Sequence, residues 1–525
     1  MGAQEYAAIS PFVLNCHAKT KNHRFISPRN DIFVPLRRNK IDIMAKIIGR
    51  NKEIAELHEI YNRNQAQFVV IYGRRRVGKT FLVNEAFKDR ITFHHAGLSP
   101  IGDHGKRNLM KEQLQQFYFS LQIQGMPPSH CPKSWFEAFF MLEKLLQQKD
   151  DGTRQVVFLD ELPWMDTPRS NFISAFEGFW NSWACSRDNL MLVVCGSATS
   201  WILDKLINNH GGLYGRVTRE IKLTPFSLAD CKAFYEDRGI SMSDYDIVQS
   251  YMIFGGIPYY MDYFEPGLSL PQNIDKLFFS QGARLADEFD RLLSSVFGNP
   301  DDIKKIIIAL SRRRAGFTRQ QISERSKIDL GGGLTDLLKA LAASEFTRQY
   351  VPYGKSKREE HHMLTDPFCR FYIHFVMGHD IIDTDFWTNN ISSQAIVSWR
   401  GFAFEDVCLN HIQQIKSALG IQGVISKQSA WAVQGDDNND GSQIDLLIVR
   451  NDNVVNLCEM KFAGDVYMID KDEELRLRRR VEALKQTLTR KQTVHLTMVT
   501  TYGVAHGKHS GVVQKSVTMN DLFVE

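Results

Sequence analysis

The sequence predicts an α/β chain of several domains, led by a parallel sheet with helices packed around it. Three observations predict this: apolar β-rich runs at 68–72, 156–159 and 191–195, helical stretches between them, and a glycine-rich turn closing the first run. At 525 residues the chain is too long for one hydrophobic core, so roughly three or four domains are expected.

Residues 1–43 are polar and basic, without a sustained period of 2 or 3.6. They read as an N-terminal extension outside the fold, with Met44 the natural start, or as a genuine N-terminal arm. Ordered patterning begins beyond Met44, with a helix carrying Ile54, Leu57, Ile60 and Tyr61 on one face. Helices are expected at 81–87, 109–121 and 135–148. Residues 227–300 read as a mostly helical lid, and 301–380 as a small helical module with a β-hairpin. From 381 a separate domain is expected, with a helix–strand–strand–helix pattern beginning at Trp399. The polar loop 435–441 interrupts it.

Composition narrows the class. Hydrophobic residues at 43% and charged residues at 24% are ordinary for a soluble globular protein. The eight cysteines form no CxxC pair, so a zinc site or disulfide framework is not expected and a reducing compartment fits. No apolar run is long enough for a membrane span and no secretory h-region opens the chain, so a cytoplasmic location is expected. The net charge of +4 is unevenly spread: 302–358 holds thirteen Lys/Arg against five Asp/Glu. A basic stretch in an otherwise mildly acidic chain points to an anionic partner.

The first run ends in Gly73, Arg74, Arg75, Arg76, Val77, Gly78, Lys79 and Thr80, then Phe81 opens the helix. This is G-x4-G-K-[ST] between a strand and a helix, the P-loop pattern. Its glycines let backbone N–H groups turn inward on a triphosphate, and the helix N-terminus favours the anion. Lys79 is expected at the β/γ-phosphates of ATP and Thr80 on Mg²⁺. The second run ends in Asp160 and Glu161, a Walker B pattern: Asp160 for the metal, Glu161 to orient or deprotonate the attacking water. The third ends at Ser197, either a sensor beside the γ-phosphate or a plain strand terminus. Arg216 and Arg219 follow a glycine-rich loop, and either can stabilise charge on the γ-phosphate. Whether such an arginine serves its own chain or a neighbour in a homo-oligomer stays open.

IIGRNKE at 47–53, the P-loop, FLDELPW at 158–164, CGSA at 195–198, GRVTREIKLTPFS at 215–227 and FGGIPYYM at 254–261 together resemble the archaeal-type ATPases. These are AAA-like P-loop proteins close to the STAND NTPases. The resemblance covers nearly all of 44–525 and implies an ATPase core at 44–226 with a helical lid. It also implies that Gly49 and Arg50 lie near the adenine and that Gly256 and Pro258 begin the lid contact with nucleotide.

In the middle module, residues 317–326, a Gly331–Gly333 turn and a helix over 334–342 have a helix-turn-helix layout, with 350–363 as a basic wing. Such a winged helix can meet DNA through Arg319, Arg325, Lys355, Lys357 and Arg358, or pack on the ATPase core and touch nothing else. The segment MLTDPFCRFY at 363–372 extends the family resemblance.

Farther on, Asp445 and Glu459 flank a predicted hairpin with a three-residue loop at 451–453. Position 450 then pairs with 454, Asp445 lies opposite Glu459, and Lys461 shares their face. A divalent cation between the two acids, Mg²⁺ or Mn²⁺, with Lys461 activating water or stabilising phosphate, would account for the cluster. The alternative is an exposed polar strand face. The pattern resembles the core of PD-(D/E)XK nucleases, which implies a C-terminal α/β restriction-endonuclease-like domain and a further metal-site acid on its first helix, matched by Glu405. That domain can cut DNA, or retain the nuclease fold only for binding.

Overall fold

A computed structural model describes residues 47–99, 109–208, 210–379, 383–433 and 442–524, with 432, 433, 442, 443 and 445 described by backbone alone. The N-terminal extension and the polar loop 435–441 lie outside the described residues. So does Asp445's side chain.

Five strands, β1 (Gln67–Tyr72), β2 (Ile91–Ala96), β3 (Gln155–Asp160), β4 (Leu190–Gly196) and β5 (Arg219–Lys222), form a parallel sheet in the order β2-β3-β4-β1-β5. Both faces are buried. Val69, Ile71, Phe158, Val193 and Cys195 face one core, and Phe68, Val70, Val157, Leu192 and Val194 the other. Period-2 alternation between two cores is why these strands read as unbroken apolar runs. The second core is closed by the helices Met110–Ile123, Trp135–Gln148 and Phe172–Ser182. Ser134 starts the middle one, its side chain accepting from the Glu137 N–H at 3.2 Å.

Sequence reading missed β2 and β5, and both are edge strands. In β5 only Ile221 is buried. In β2 the two histidines take the place of aliphatic residues: His94 stacks on Phe158 at 4.9 Å between centroids, and His95 meets Phe117 edge-on at 4.8 Å.

The helices Leu228–Asp237, Asp244–Phe254, Pro258–Met261, Leu270–Phe278 and Glu288–Val296 follow. The helix Pro300–Ser311 leads into a three-stranded antiparallel sheet: β6 (Phe317–Thr318), β7 (Thr347–Tyr350) and β8 (His361–Leu364), in the order β6-β8-β7. Between β6 and β7 lie the helices Arg319–Ser326, closed by a Thr318/Gln321 capping box, and Gly332–Ala343.

The last sheet holds β9 (Ser426–Val433), β10 (Ser442–Arg450), β11 (Val454–Lys461), β12 (Thr493–Thr500) and β13 (Lys515–Thr518), ordered β13-β12-β11-β10-β9. The helix Gln394–Asn410 packs on one face and Lys471–Lys485 on the other. The expected helix–strand–strand–helix pattern was therefore too short by three strands. β9 and β13 are edges, and β12 interleaves threonines and a histidine with its apolar residues.

Along β10 and β11, Val449 pairs with Val455 and Leu446 with Cys458; one step further stand Asp445 and Glu459. The β10–β9 register shifts between Ile444 and Leu447, an irregularity that spans the backbone of Asp445 and Leu446. The segment after β7 docks on this sheet, the Tyr353 N–H donating to Ala430 O at 2.9 Å. It covers the open edge of β9.

Among the described residues no helix is long and apolar enough to cross a membrane.

Candidate functional site: the P-loop and its surroundings

Strand β1 delivers the chain to Gly73, whose φ of +146° and approach to Leu223 leave no room for a side chain: a Cβ there would lie 2.2 Å from Leu223 O. Arg76 and Gly78 also have positive φ, at 73° and 96°, and space opens where Gly78 lacks a Cβ. Left-handed residues alternating with right-handed ones turn successive N–H groups to one side, making an anion-binding concavity. The helix Lys79–Phe87 starts directly beyond it.

The Lys79 ammonium is buried and donates to Gly73 O and Arg74 O, both at 3.1 Å, and to Ser197 Oγ at 3.3 Å. Burial pushes its pKa down, against the pull of Glu161 and other anionic neighbours. A phosphate in the concavity would supply the missing counter-charge.

Strand β4 lies between β1 and β3, so Ser197 at its tip stands between lysine and acids. Thr80 Oγ1 donates to Asp160 Oδ2 at 2.7 Å. Cys195 Sγ donates to Asp160 Oδ1 at 2.5 Å. Glu161 takes both groups of Ser197, the hydroxyl at 2.5 Å and the N–H at 3.0 Å, and is held in left-handed backbone at φ 46°. Thr80 and Asp160 are therefore a hydroxyl and a carboxylate already together, a donor pair suited to Mg²⁺. Glu161 stands one residue along, parked on Ser197.

Residues 47–264 match the family described as an ATPase domain predominantly from Archaea. This stretch is an ATPase domain. An uncharacterized protein of Methanocaldococcus jannaschii is 25% identical over 414 residues, covering 77% of this chain and 84% of its own length. An uncharacterized ATP-binding protein of the same archaeon is 37% identical over 47 residues, 9% of this chain and 80% of that protein. Among solved structures, the Walker-type ATPase of Pyrococcus abyssi aligns with a TM-score of 0.43 and 18% identity, over 63% of this chain and 96% of that one.

Several expected residues of the ATPase domain have other partners. Arg74 is buried and bound to Asp366, Nε to Oδ2 at 2.6 Å; Arg76 pairs with Glu288 and lies over Tyr259, with 4.0 Å to the ring centroid. Arg75 reaches Glu161 at 3.9 Å and stacks on Trp164. The Arg74 and Arg76 side chains thus serve carboxylates elsewhere, and the expectation that these residues hold nucleotide rests on their backbone N–H groups. Arg50 is buried beneath the loop, donating to Val77 O at 3.2 Å and Thr224 O at 2.8 Å. Its position makes it a brace for the P-loop backbone. Gly49 packs on Asp230, whose carboxylate a Cβ would meet at 2.6 Å. Pro258 opens its short helix at the lid, and Phe81 is half exposed.

Arg219 pairs with Glu56 on the first helix. Arg216 is exposed. Sequence reading missed Cys195, Glu288 and Asp366. A lone apolar-run cysteine and acids 212 and 292 residues from the arginines they meet carry no local signal; only folding brings them to the loop.

At the C-terminal cluster, Lys461 Nζ lies 2.8 Å from Glu459 Oε1, so the two share a face, and Arg480 also pairs with Glu459. Lys461 is 3.8 Å from Glu473. Glu405 stands on the helix Gln394–Asn410, as expected, but Arg314 of the middle module is paired with it. Among the described residues no three His, Cys, Asp or Glu side chains form a metal-holding group. Glu405, the expected further metal-site acid, is thus an arginine-paired carboxylate. Of the basic candidates, Arg319 donates to Gly331 O at 2.8 Å, Arg325 lies over Phe317 and Lys355 pairs with Glu359. Lys357 and Arg358 are exposed.

Proposed function

We propose that ATP binding and hydrolysis at the P-loop control the handling of DNA by the middle and C-terminal modules. One observation carries the coupling: Arg74 of the P-loop is bound to Asp366, which directly follows the β8 sheet. A loop that reshapes around a triphosphate is thereby tied to the basic module. The anionic partner is argued from charge, since Arg312, Arg313, Arg325, Lys327, Lys357 and Arg358 are exposed in the stretch of +8 surplus. The strand–helix layout of 300–364 is compatible with a winged helix. Mg²⁺ at Thr80 and Asp160 would offset charge on the bound phosphates. Arg216, exposed beyond its glycine turn, is free to serve a neighbouring copy.

Asp445, Glu459 and Lys461 add a candidate for metal-dependent cleavage. A second reading, a nucleotide switch that binds DNA or a partner protein without cutting, is favoured by one feature: Glu459 and Glu405 are each engaged by arginine. One experiment covers both. DNA affinity is measured with an ATP analogue, with ADP and with neither, and plasmid is incubated with Mg²⁺ or Mn²⁺. Nucleotide-dependent affinity that Lys79→Ala abolishes supports the coupling; identical affinity in all three states sinks it. Cleavage lost in Asp445→Ala and Lys461→Ala supports the nuclease, and intact plasmid throughout leaves the switch.

A further inference from the structure

A cavity of ≈ 830 Å³ opens where four parts of the chain meet: the turn after Pro300–Ser311, residues 367–374, the helix Gln394–Asn410, and the end of β11 with the helix Lys471–Lys485. Its size falls within the range of ligand pockets. Arg312, Arg313, Arg314, Arg370, Lys461 and Arg480 line it against Glu405, Asp406 and Glu459, six cations to three carboxylates. Four of the cations are engaged. Arg314 holds Glu405 and lies 3.6 Å from Asp406, Arg370 lies 3.2 Å from Asp406, and Lys461 and Arg480 share Glu459. Arg312 and Arg313 are exposed and enter no ion pair among the described residues, Arg313 lying 5.8 Å from the Phe317 ring centroid. A surplus of positive charge in a cleft with low-dielectric walls concentrates anions.

The wall also presents an aromatic face. Phe402 lines the cavity, is 54% exposed although it sits mid-helix, and has the Arg314 guanidinium 5.4 Å from its ring centroid. Arginines beside a solvent-facing aromatic are what an unpaired nucleotide needs: phosphate contacts along the backbone and a platform for one base. A duplex keeps its bases stacked on each other and cannot use that platform.

We infer that this cavity binds single-stranded nucleic acid, with Arg312 and Arg313 on phosphates and Phe402 stacking a base. The inference rests on the DNA-directed reading and specifies where and in which form the strand enters. Arg314 is the hinge of the site: a phosphodiester entering beside it competes with Glu405 for the guanidinium and releases that carboxylate. The site is composite, because the middle module supplies arginines to a cavity whose acids belong to the C-terminal domain.

The test is fluorescence anisotropy with a labelled oligo-dT and a duplex of equal length, on the full chain in EDTA over a series of salt concentrations. The single strand is expected to bind more tightly than the duplex. Arg312→Ala/Arg313→Ala should weaken it about tenfold and lower the salt slope by about 1.4, near 0.7 per lost contact for single strands. Phe402→Ala should weaken it about fivefold or more, with recovery in Phe402→Trp, which a purely structural role would not give. Thermal melting of each variant by circular dichroism separates lost contacts from lost fold. Unchanged affinity in these variants, with the loss appearing instead in Lys357→Ala/Arg358→Ala, overturns this site and keeps the DNA-directed reading. Absence of binding to either oligonucleotide overturns both.

Discussion

Arg74 and Asp366 lie 292 residues apart in the chain and 2.6 Å apart in space, each about 3% exposed at the side chain. Asp366 also accepts the Cys369 N–H at 2.8 Å, so one carboxylate starts a helix and anchors the P-loop. Removing one partner leaves a buried unpaired charge. Asp366→Ala is expected to cost about 3–5 kcal/mol of stability and to weaken ATP binding, read by urea denaturation and by nucleotide titration. The double variant Arg74→Leu/Asp366→Leu should recover part of the stability; a single variant of wild-type stability would remove the pair's structural role.

Variants at Glu161 and Lys79 should separate binding from turnover. Glu161→Gln keeps the shape, its amide oxygen accepting from the Ser197 N–H and its amide N–H donating to the Ser197 hydroxyl, but cannot take a proton, so ATP is expected to bind while phosphate release falls about 100-fold or more. Lys79→Ala should lose both, because the missing ammonium serves the ground state too. Equal loss of binding in the two variants would place Glu161 in a structural role.

Acid stability follows from His95. Burial pushes its pKa from 6.5 to about 3. Between those values the unfolded chain binds a proton that the folded chain refuses, so stability falls as pH drops below about 6.5, by up to about 1.4 kcal/mol per pH unit. His94, His362 and His411 are lowered by burial in the same direction. Urea melts from pH 7.5 to 5 should show this slope, and a shallower one in His95→Phe. A flat profile in the parent protein would contradict it.

Thiol chemistry offers a map of the fold. Cys195, Cys231, Cys369, Cys408 and Cys458 are buried, with thiols pushed up by desolvation, while Cys131 and Cys185 are exposed. With Cys16 replaced by serine, iodoacetamide should add two labels to the folded protein and seven in urea, counted by mass spectrometry. Labelling of Cys195 in the native protein would mean that Asp160's surroundings open to solvent.

The P-loop could be read because its information is local: strand, turn and helix occupy 67–87 without interruption, and buried two-faced strands leave apolar runs. Helix Trp135–Gln148 was legible for the same reason, its apolar positions recurring at helical spacing after a serine cap. The hairpin register of β10 and β11 was legible because a three-residue loop admits one pairing. Edge strands were not, since β5 buries one side chain and β2 uses aromatic packing of histidines. Nor were the partners of Arg74, Arg76 and Glu405. A charge on a loop looks available in the sequence, and only the tertiary fold shows which distant acid or arginine meets it.

The helix Asp244–Phe254 buries Ile247, Val248, Tyr251, Met252, Ile253 and Phe254, and it packs against both Pro367–Phe371 and Gln394–Asn410. Prying those neighbours away would wet several large side chains at once, each worth about 1.5–3 kcal/mol when covered. A change at the triphosphate, passed on to these neighbours as proposed, would have to travel as small sliding displacements in greased contact, because swinging them apart like a jaw is the motion this packing resists.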